Sequence, residues 1–122
     1  MAVVTIGAVA VFFAGMGLYA LVAPAALIRP FGVTLQHPES RAEVRAVYGG
    51  FGLAMAGVLV YAALQAGHRD AILITVAAAL GGMAAGRLIS AVVDERTRFY
   101  PNWFYFLVEL VLAGALVWAV AA

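Results

Sequence analysis

The sequence predicts an all-α protein, a four-helix transmembrane bundle with short loops that forms a single domain over residues 1–122. Hydrophobic residues make up 66% of the chain and charged residues only 11%, whereas soluble domains are about 25% charged. The apolar residues fall into blocks of about 20 residues, the length that a helix needs to cross a hydrocarbon core ~30 Å thick. Because a helix satisfies its own backbone hydrogen bonds in lipid, strands are not expected there.

We number the predicted helices span 1 to span 4; in chain order they are Ala2–Ala23, Glu43–Gln65, Ala71–Val93 and Asn102–Ala121. Span 1 closes at Pro24. No basic region precedes it and it is too long for a typical signal peptide, so we expect it to be retained. Ser40 and Glu43 have the spacing of a capping box, which predicts that the helix of span 2 begins near Ser40. Pro101 is favourable in the first turn of span 4.

The loops give a prediction of orientation. The apolar part of loop one, Ala25–Phe31, is expected to lie in the membrane interface, loop two is the short segment Gly67–Asp70, and loop three is Asp94–Tyr100. Loops one and three share a side and hold most of the loop arginines, so the positive-inside rule predicts that both termini are outside. The orientation stays open if these arginines have a functional role. Aromatic residues near both ends of span 4 are typical of interfacial belts.

Composition excludes several kinds of site. The chain has no cysteine, so it carries no thiol redox pair, thiolate metal site or iron–sulfur cluster. Its two histidines, His37 and His68, fall in predicted loops on opposite sides of the bundle, and we expect neither a metal nor a cofactor. The net charge of +1 gives no basic surface for nucleic acid.

Three ionisable residues lie inside the apolar segments: Arg45, Arg87 and Glu109. An arginine at the centre of a membrane helix costs about 2.5–3.5 kcal/mol on insertion scales, so each charge needs a partner, water or a function. All three are expected on the loop-one side at similar depth, within reach of one another. Helical spacing adds neighbours on three faces, namely Arg87 with Ser90 and Asp94, Asn102 and Tyr105 with Glu109, and Arg41 and Arg45 with Tyr48.

The resulting polar cluster comprises Glu43, Arg45, Tyr48, Arg87, Ser90, Asp94, Tyr105 and Glu109. It is open to three interpretations. The first is a buried ion pair that fixes helix register, the second is a site for a ligand head, and the third is acid–base catalysis by Glu109. Glu43 is assigned mainly to capping, although it and Asp94 are also placed at the mouth of the pocket.

Small residues recur along spans 2 and 3, and surfaces of this kind let membrane helices approach closely. They are Gly49, Gly50, Gly52, Ala54, Ala56 and Gly57 on span 2, and Ala78, Gly82 and Gly86 on span 3. Most are expected to pack within the chain, with contact between copies as the alternative.

Several segments resemble a family of small bacterial four-helix inner-membrane proteins of unknown function, related to DoxX-like proteins. The most specific is Glu43–Gly52, which reads EVRAVYGGFG; the others are Leu18–Pro24, Pro30–Gly32, Gly86–Ser90 and Glu109–Leu110. The resemblance covers nearly the whole chain and implies a bundle in the bacterial inner membrane, with no established activity, cofactor or catalytic residue. DoxX-like relatives are linked with oxidoreductase complexes, but a chain without cysteine brings no thiol redox centre.

Four functions are therefore compared. The sequence favours a non-enzymatic accessory or assembly subunit of a membrane complex, because the helices are rich in packing residues and the loops are minimal. The alternative is a binder of a lipid, quinone or isoprenoid-like ligand, whose anionic head would pair with Arg45 and Arg87. A small proton-coupled transporter that uses Glu109, and that would need a homo-oligomer to form a pathway, has less support. A membrane enzyme has the least.

Overall fold

The computed structural model describes residues 1–121, and it confirms the all-α fold. Four helices are long and apolar enough to cross a membrane, which indicates a multi-pass membrane protein. Spans 1 to 4 have the observed bounds Ala2–Val22, Pro38–Leu64, Ala66–Val93 and Phe99–Ala121. Each span packs against the next one in the chain, and span 4 returns to span 1, so the four form a closed bundle.

The predicted capping box at the start of span 2 does not form. Span 2 begins at Pro38, with His37 as its N-cap and no side-chain cap, so Ser40 lies inside the first turn and the capping box does not form. The reason is Pro38, which has no N–H to satisfy and a φ angle already suited to the first helical position. Glu43 is exposed in the second turn of the same helix rather than at its cap.

The predicted second loop is helical. Gln65 alone separates spans 2 and 3, and the segment around Arg69 forms the first turns of span 3. The Arg69 side chain donates hydrogen bonds to the carbonyl oxygens of Ala62 and Ala63, at 3.0 and 2.8 Å. Because the last carbonyls of a helix have no partner within the helix, this arginine caps span 2 and allows the abrupt reversal.

Loop one folds against the bundle. Pro24–Ile28 is a short α-helix and Arg29–Phe31 is a turn of 3-10 helix that ends at Gly32, whose φ of 78° favours glycine. Leu27 and Ile28 are buried in a small core with Ala20 and Val44. The segment thereby covers one end of the bundle and directs Phe31 toward spans 3 and 4.

Glycine packing joins spans 1 and 2. A Cβ atom on Gly17 would lie 2.9 Å from the carbonyl oxygen of Gly49, and one on Gly52 would lie 3.1 Å from the Cα of Gly17. The predicted packing role is confirmed for Gly49 and Gly52. Gly82 and Gly86 do not pack closely within the chain, since a Cβ at either position would meet no atom within 4 Å, and contact between copies stays the alternative for them.

The main core occupies the half of the bundle near the termini. Its fully buried members include Ile6 of span 1, Leu59 of span 2, Leu73 of span 3 and Leu116 of span 4. Toward loops one and three the packing differs. There Arg45–Gly50 of span 2 forms a π-helical turn that packs on span 1, and such turns are frequent at functional sites.

Candidate functional site

A cavity of about 560 Å³ lies in the half of the bundle near loops one and three. This volume falls within the range of about 300–1,000 Å³ that is usual for small-molecule sites. All four spans and the loop-one segment line it, with Phe12, Phe13, Met16, Leu27, Ile28, Phe31, Ala46, Val47, Tyr48, Phe51, Gly52, Leu80, Met83, Arg87, Tyr105, Val108 and Glu109. Most of this wall is apolar, and its charged side chains are one arginine and one glutamate.

Arg87 and Glu109 form a two-point ion pair in the wall of the cavity. The guanidinium donates from Nε to Oε1 of Glu109 at 2.9 Å and from its second terminal nitrogen to Oε2 at 3.1 Å. The Glu109 side chain is only 5% exposed and that of Arg87 21% exposed. Spans 3 and 4 are antiparallel neighbours joined by loop three, which brings the two residues to the same depth. The two hydrogen bonds are parallel, so each charge has its counterion and the orientation of the two side chains is fixed.

Further contacts hold the guanidinium in place. Its first terminal nitrogen donates to Oδ1 of Asn102 at 3.3 Å. Its carbon lies 5.7 Å from the ring centroids of both Phe31 and Tyr105, and those rings are 5.6 Å from each other. Cation–π contacts of this kind contribute about 0.5–2 kcal/mol each, depending on desolvation. Arg87 is therefore held by loop one and span 4 together.

The structure brings together half of the predicted polar cluster. Tyr48, Arg87, Tyr105 and Glu109 all line the cavity. Of these four residues, Tyr48 lies in the π-helical turn of span 2. Spans 2, 3 and 4 therefore each contribute at least one of the predicted residues to the cavity wall.

Arg45 and Arg87 were both expected within reach of Glu109, and the structure pairs Glu109 with Arg87. The Arg45 Nε atom instead donates to the carbonyl oxygen of Leu21 at 3.0 Å, at the C-terminal end of span 1. The last turn of a helix offers unpaired carbonyls and the negative end of its dipole, so it attracts an arginine that begins the next span. Arg45 is thus a cap for span 1 and does not line the cavity.

The other predicted members also lie outside the cavity. Ser90 donates to a carboxylate oxygen of Asp94 at 3.2 Å, and both residues are exposed at the end of span 3. Glu43 is exposed on span 2. Neither of these two acids lines the cavity, and their placement at its mouth stays a prediction.

Sequence reasoning did not assign Phe31 to the site. The only sequence signal was the Pro30–Gly32 segment, whose glycine ends the 3-10 turn that carries the ring. A loop residue that contacts spans 3 and 4 cannot be placed by helical periodicity. Asn102 was placed on the face of Glu109, but its hydrogen bond to Arg87 was not foreseen.

The mouth of the cavity faces one side of the bundle. The lining residues that are exposed by more than a third come from spans 2 and 3 and from Phe31, and among them Val47, Phe51 and Met83 are nearly half exposed. Lining residues of spans 1 and 4 are buried or partly buried. The cavity therefore opens between spans 2 and 3, at the level of the apolar segments.

The polar end of the cavity can donate and accept hydrogen bonds. Of the five guanidinium N–H groups, the contacts to Glu109 and Asn102 use three. Tyr48 and Tyr105, whose side chains carry hydroxyl groups, also line the cavity. Within residues 1–121, no group of three or more His, Asp or Glu side chains has the arrangement of a metal site. The chemistry that the site offers is hydrogen bonding to a polar group at the end of an apolar body.

A family model described as a domain of unknown function, DUF4345, matches residues 1–120. No curated protein and no solved structure matches the chain.

Proposed function

Because the chain belongs to the DUF4345 family, whose function is unknown, we propose from the cavity itself that the protein binds a lipid-like ligand inside the membrane. The ligand would place a polar head against Arg87, Glu109 and Tyr105 and an apolar body along the wall that includes Phe13 and Leu80. The observation that carries this proposal is an apolar cavity of ligand size with one concentrated polar end. Sites of this composition are the usual form of small-molecule sites.

The position of the mouth supports entry from the bilayer. The opening lies between spans 2 and 3, and Met83 and Phe51 stand beside it with nearly half of each side chain exposed. In a membrane, such residues would face lipid chains rather than water. A ligand dissolved in the bilayer would then enter sideways without passing through an aqueous phase.

Filling the mouth tests this proposal. Met83→Trp places a larger side chain at the entrance, while Ile89→Trp makes the matched change on the same span at a residue that is exposed and does not line the cavity. Each protein is purified in mild detergent, checked for helicity by circular dichroism, and extracted with organic solvent for mass spectrometry. We expect a compound that copurifies with the wild type and the Ile89 variant and is lost from the Met83 variant. Equal content in all three proteins, or none in any, would refute ligand binding in this cavity.

We further place the protein in the bacterial inner membrane with both termini outside. The support is the sequence resemblance, including that to DoxX-like proteins, and the arginines of loops one and three. Fusing a reporter that is active only in the cytoplasm to the C-terminus tests the orientation, since activity of that fusion would contradict it.

The accessory-subunit hypothesis stays a prediction. Its support is the face of Ala78, Gly82 and Gly86 on span 3, which is exposed and leaves room for the close approach of another helix. A defined partner protein at fixed stoichiometry in a native mass spectrum would support this role. A chain that is always extracted alone would contradict it.

A further inference from the structure

We propose that the ligand carries an uncharged, hydrogen-bonding head. This inference rests on the proposed function and names the class of ligand that the same cavity would select. It differs from the expectation drawn from the sequence, in which two arginines would attract an anionic head. This class of ligand includes acylglycerols, long-chain alcohols and alkylated quinones, which share an uncharged polar head on an apolar body.

The first argument is the charge already present. Arg45 is absent from the cavity lining and is hydrogen-bonded to Leu21. Arg87 is paired through two nitrogen atoms with both carboxylate oxygens of Glu109. The charged groups lining the cavity therefore sum to zero. An anionic head would meet the Glu109 carboxylate, and a cationic head would meet the Arg87 guanidinium.

The second argument is the cost of separating the pair. Glu109 is almost fully buried, and a charge that is buried without a partner is strongly unfavourable. A charged head would have to displace one member of the ion pair to gain a partner, and would leave the other member uncompensated. An uncharged head can instead use the N–H groups that Arg87 retains and the hydroxyl of Tyr105, leaving the pair intact.

The third argument is the cover over the guanidinium. The rings of Phe31 and Tyr105 lie against it, and Asn102 bonds to its first terminal nitrogen. This arrangement restricts the room for a phosphate or carboxylate to form its own paired contact with Arg87. Two of the five guanidinium N–H groups are not used by these contacts or by Glu109, which is enough for a single hydrogen bond to an uncharged head.

The test uses three probes with one tail and different heads: 1-oleoylglycerol, oleyl sulfate and oleyltrimethylammonium. Their affinities for the wild-type protein are measured by competition against radiolabelled 1-oleoylglycerol in nanodiscs of uncharged lipid. We expect the glycerol ester to bind at least about tenfold more tightly than either charged probe. A loss of this size is smaller than the usual free-energy cost of placing two like charges side by side. Equal affinities, or tighter binding of a charged probe, would overturn the inference while leaving the proposed function in place. If no probe binds saturably, the proposed function fails and the inference fails with it.

Variants of the ion pair add a second readout. Glu109→Gln leaves the guanidinium charge without its counterion. We therefore expect the variant protein to bind oleyl sulfate about tenfold more tightly than the wild type does. The double variant Arg87→Gln, Glu109→Gln carries no charge at this position, so we expect no gain in its affinity for oleyl sulfate; it also serves if the single variant does not fold. A single variant that folds and still rejects oleyl sulfate, or a double variant that gains affinity for oleyl sulfate as the single variant does, would overturn the inference.

Discussion

Replacing Arg87 with leucine should destabilise the protein far more than replacing both members of its ion pair. The Glu109 carboxylate takes both of its side-chain contacts from Arg87, and its side chain is only 5% exposed. In Arg87→Leu that carboxylate would stay buried with no counterion. The double variant Arg87→Leu, Glu109→Leu removes the charge along with its partner and leaves an apolar contact between spans 3 and 4.

The magnitude follows from the geometry. Breaking a buried ion pair by removing one partner costs about 3–5 kcal/mol, whereas replacing the whole pair with apolar residues is often nearly neutral. The double variant still loses the contacts of the guanidinium with Phe31 and Tyr105, which are worth about 0.5–2 kcal/mol each at most. We therefore expect the single variant to be at least about 2 kcal/mol less stable than the double variant.

The assay is equilibrium unfolding in mixed micelles with increasing sodium dodecyl sulfate, followed by circular dichroism. Arg96→Leu serves as the matched control, because it removes the same charge from the exposed third loop and should change stability by less than about 0.5 kcal/mol. If Arg87→Leu is as stable as the double variant, the carboxylate does not depend on the arginine and the account of the pair is refuted.

The same unfolding assay tests two other contacts. Arg45→Met removes the hydrogen bond to Leu21 and should cost about 1 kcal/mol; no change in stability would contradict the capping role. Gly17→Ala should cost about 1–3 kcal/mol, because its new methyl group would overlap the carbonyl of Gly49, whereas Gly82→Ala has open space and should be neutral or stabilising by up to about 1 kcal/mol. Similar effects of the two alanine substitutions would show that spans 1 and 2 are not in close contact at Gly17.

The four-helix fold was predictable because span length and hydropathy are properties of local sequence. The errors lie at positions where a short-range pattern competed with another local preference. Ser40 and Glu43 fit a capping box, but Pro38 starts the helix earlier. Loop two looked polar and turn-like, yet Arg69 supplies the carbonyl contacts that let span 2 end at a single linking residue.

The candidate site was predictable only in part. An arginine partner for Glu109 could be expected because neighbouring spans place Arg45, Arg87 and Glu109 at similar depth and each charge needs compensation, but the choice between the two arginines stayed open. Arg45 is also an arginine at a similar depth, but its side chain donates a hydrogen bond to the carbonyl oxygen of Leu21 at the end of span 1 and not to an acid. Helical periodicity cannot show this choice, because it depends on how span 1 packs against span 2. The place of Phe31 depends likewise on how loop one folds across the bundle.

A native mass spectrum of the protein ejected directly from its own membrane tests the central claim most directly. If the cavity binds a lipid-like ligand, the wild type should carry one small adduct per chain that survives gentle activation, and Met83→Trp should lack it. The claim would be contradicted by a bare wild-type chain, or by a series of adducts that is the same in the wild type and in the Met83 variant.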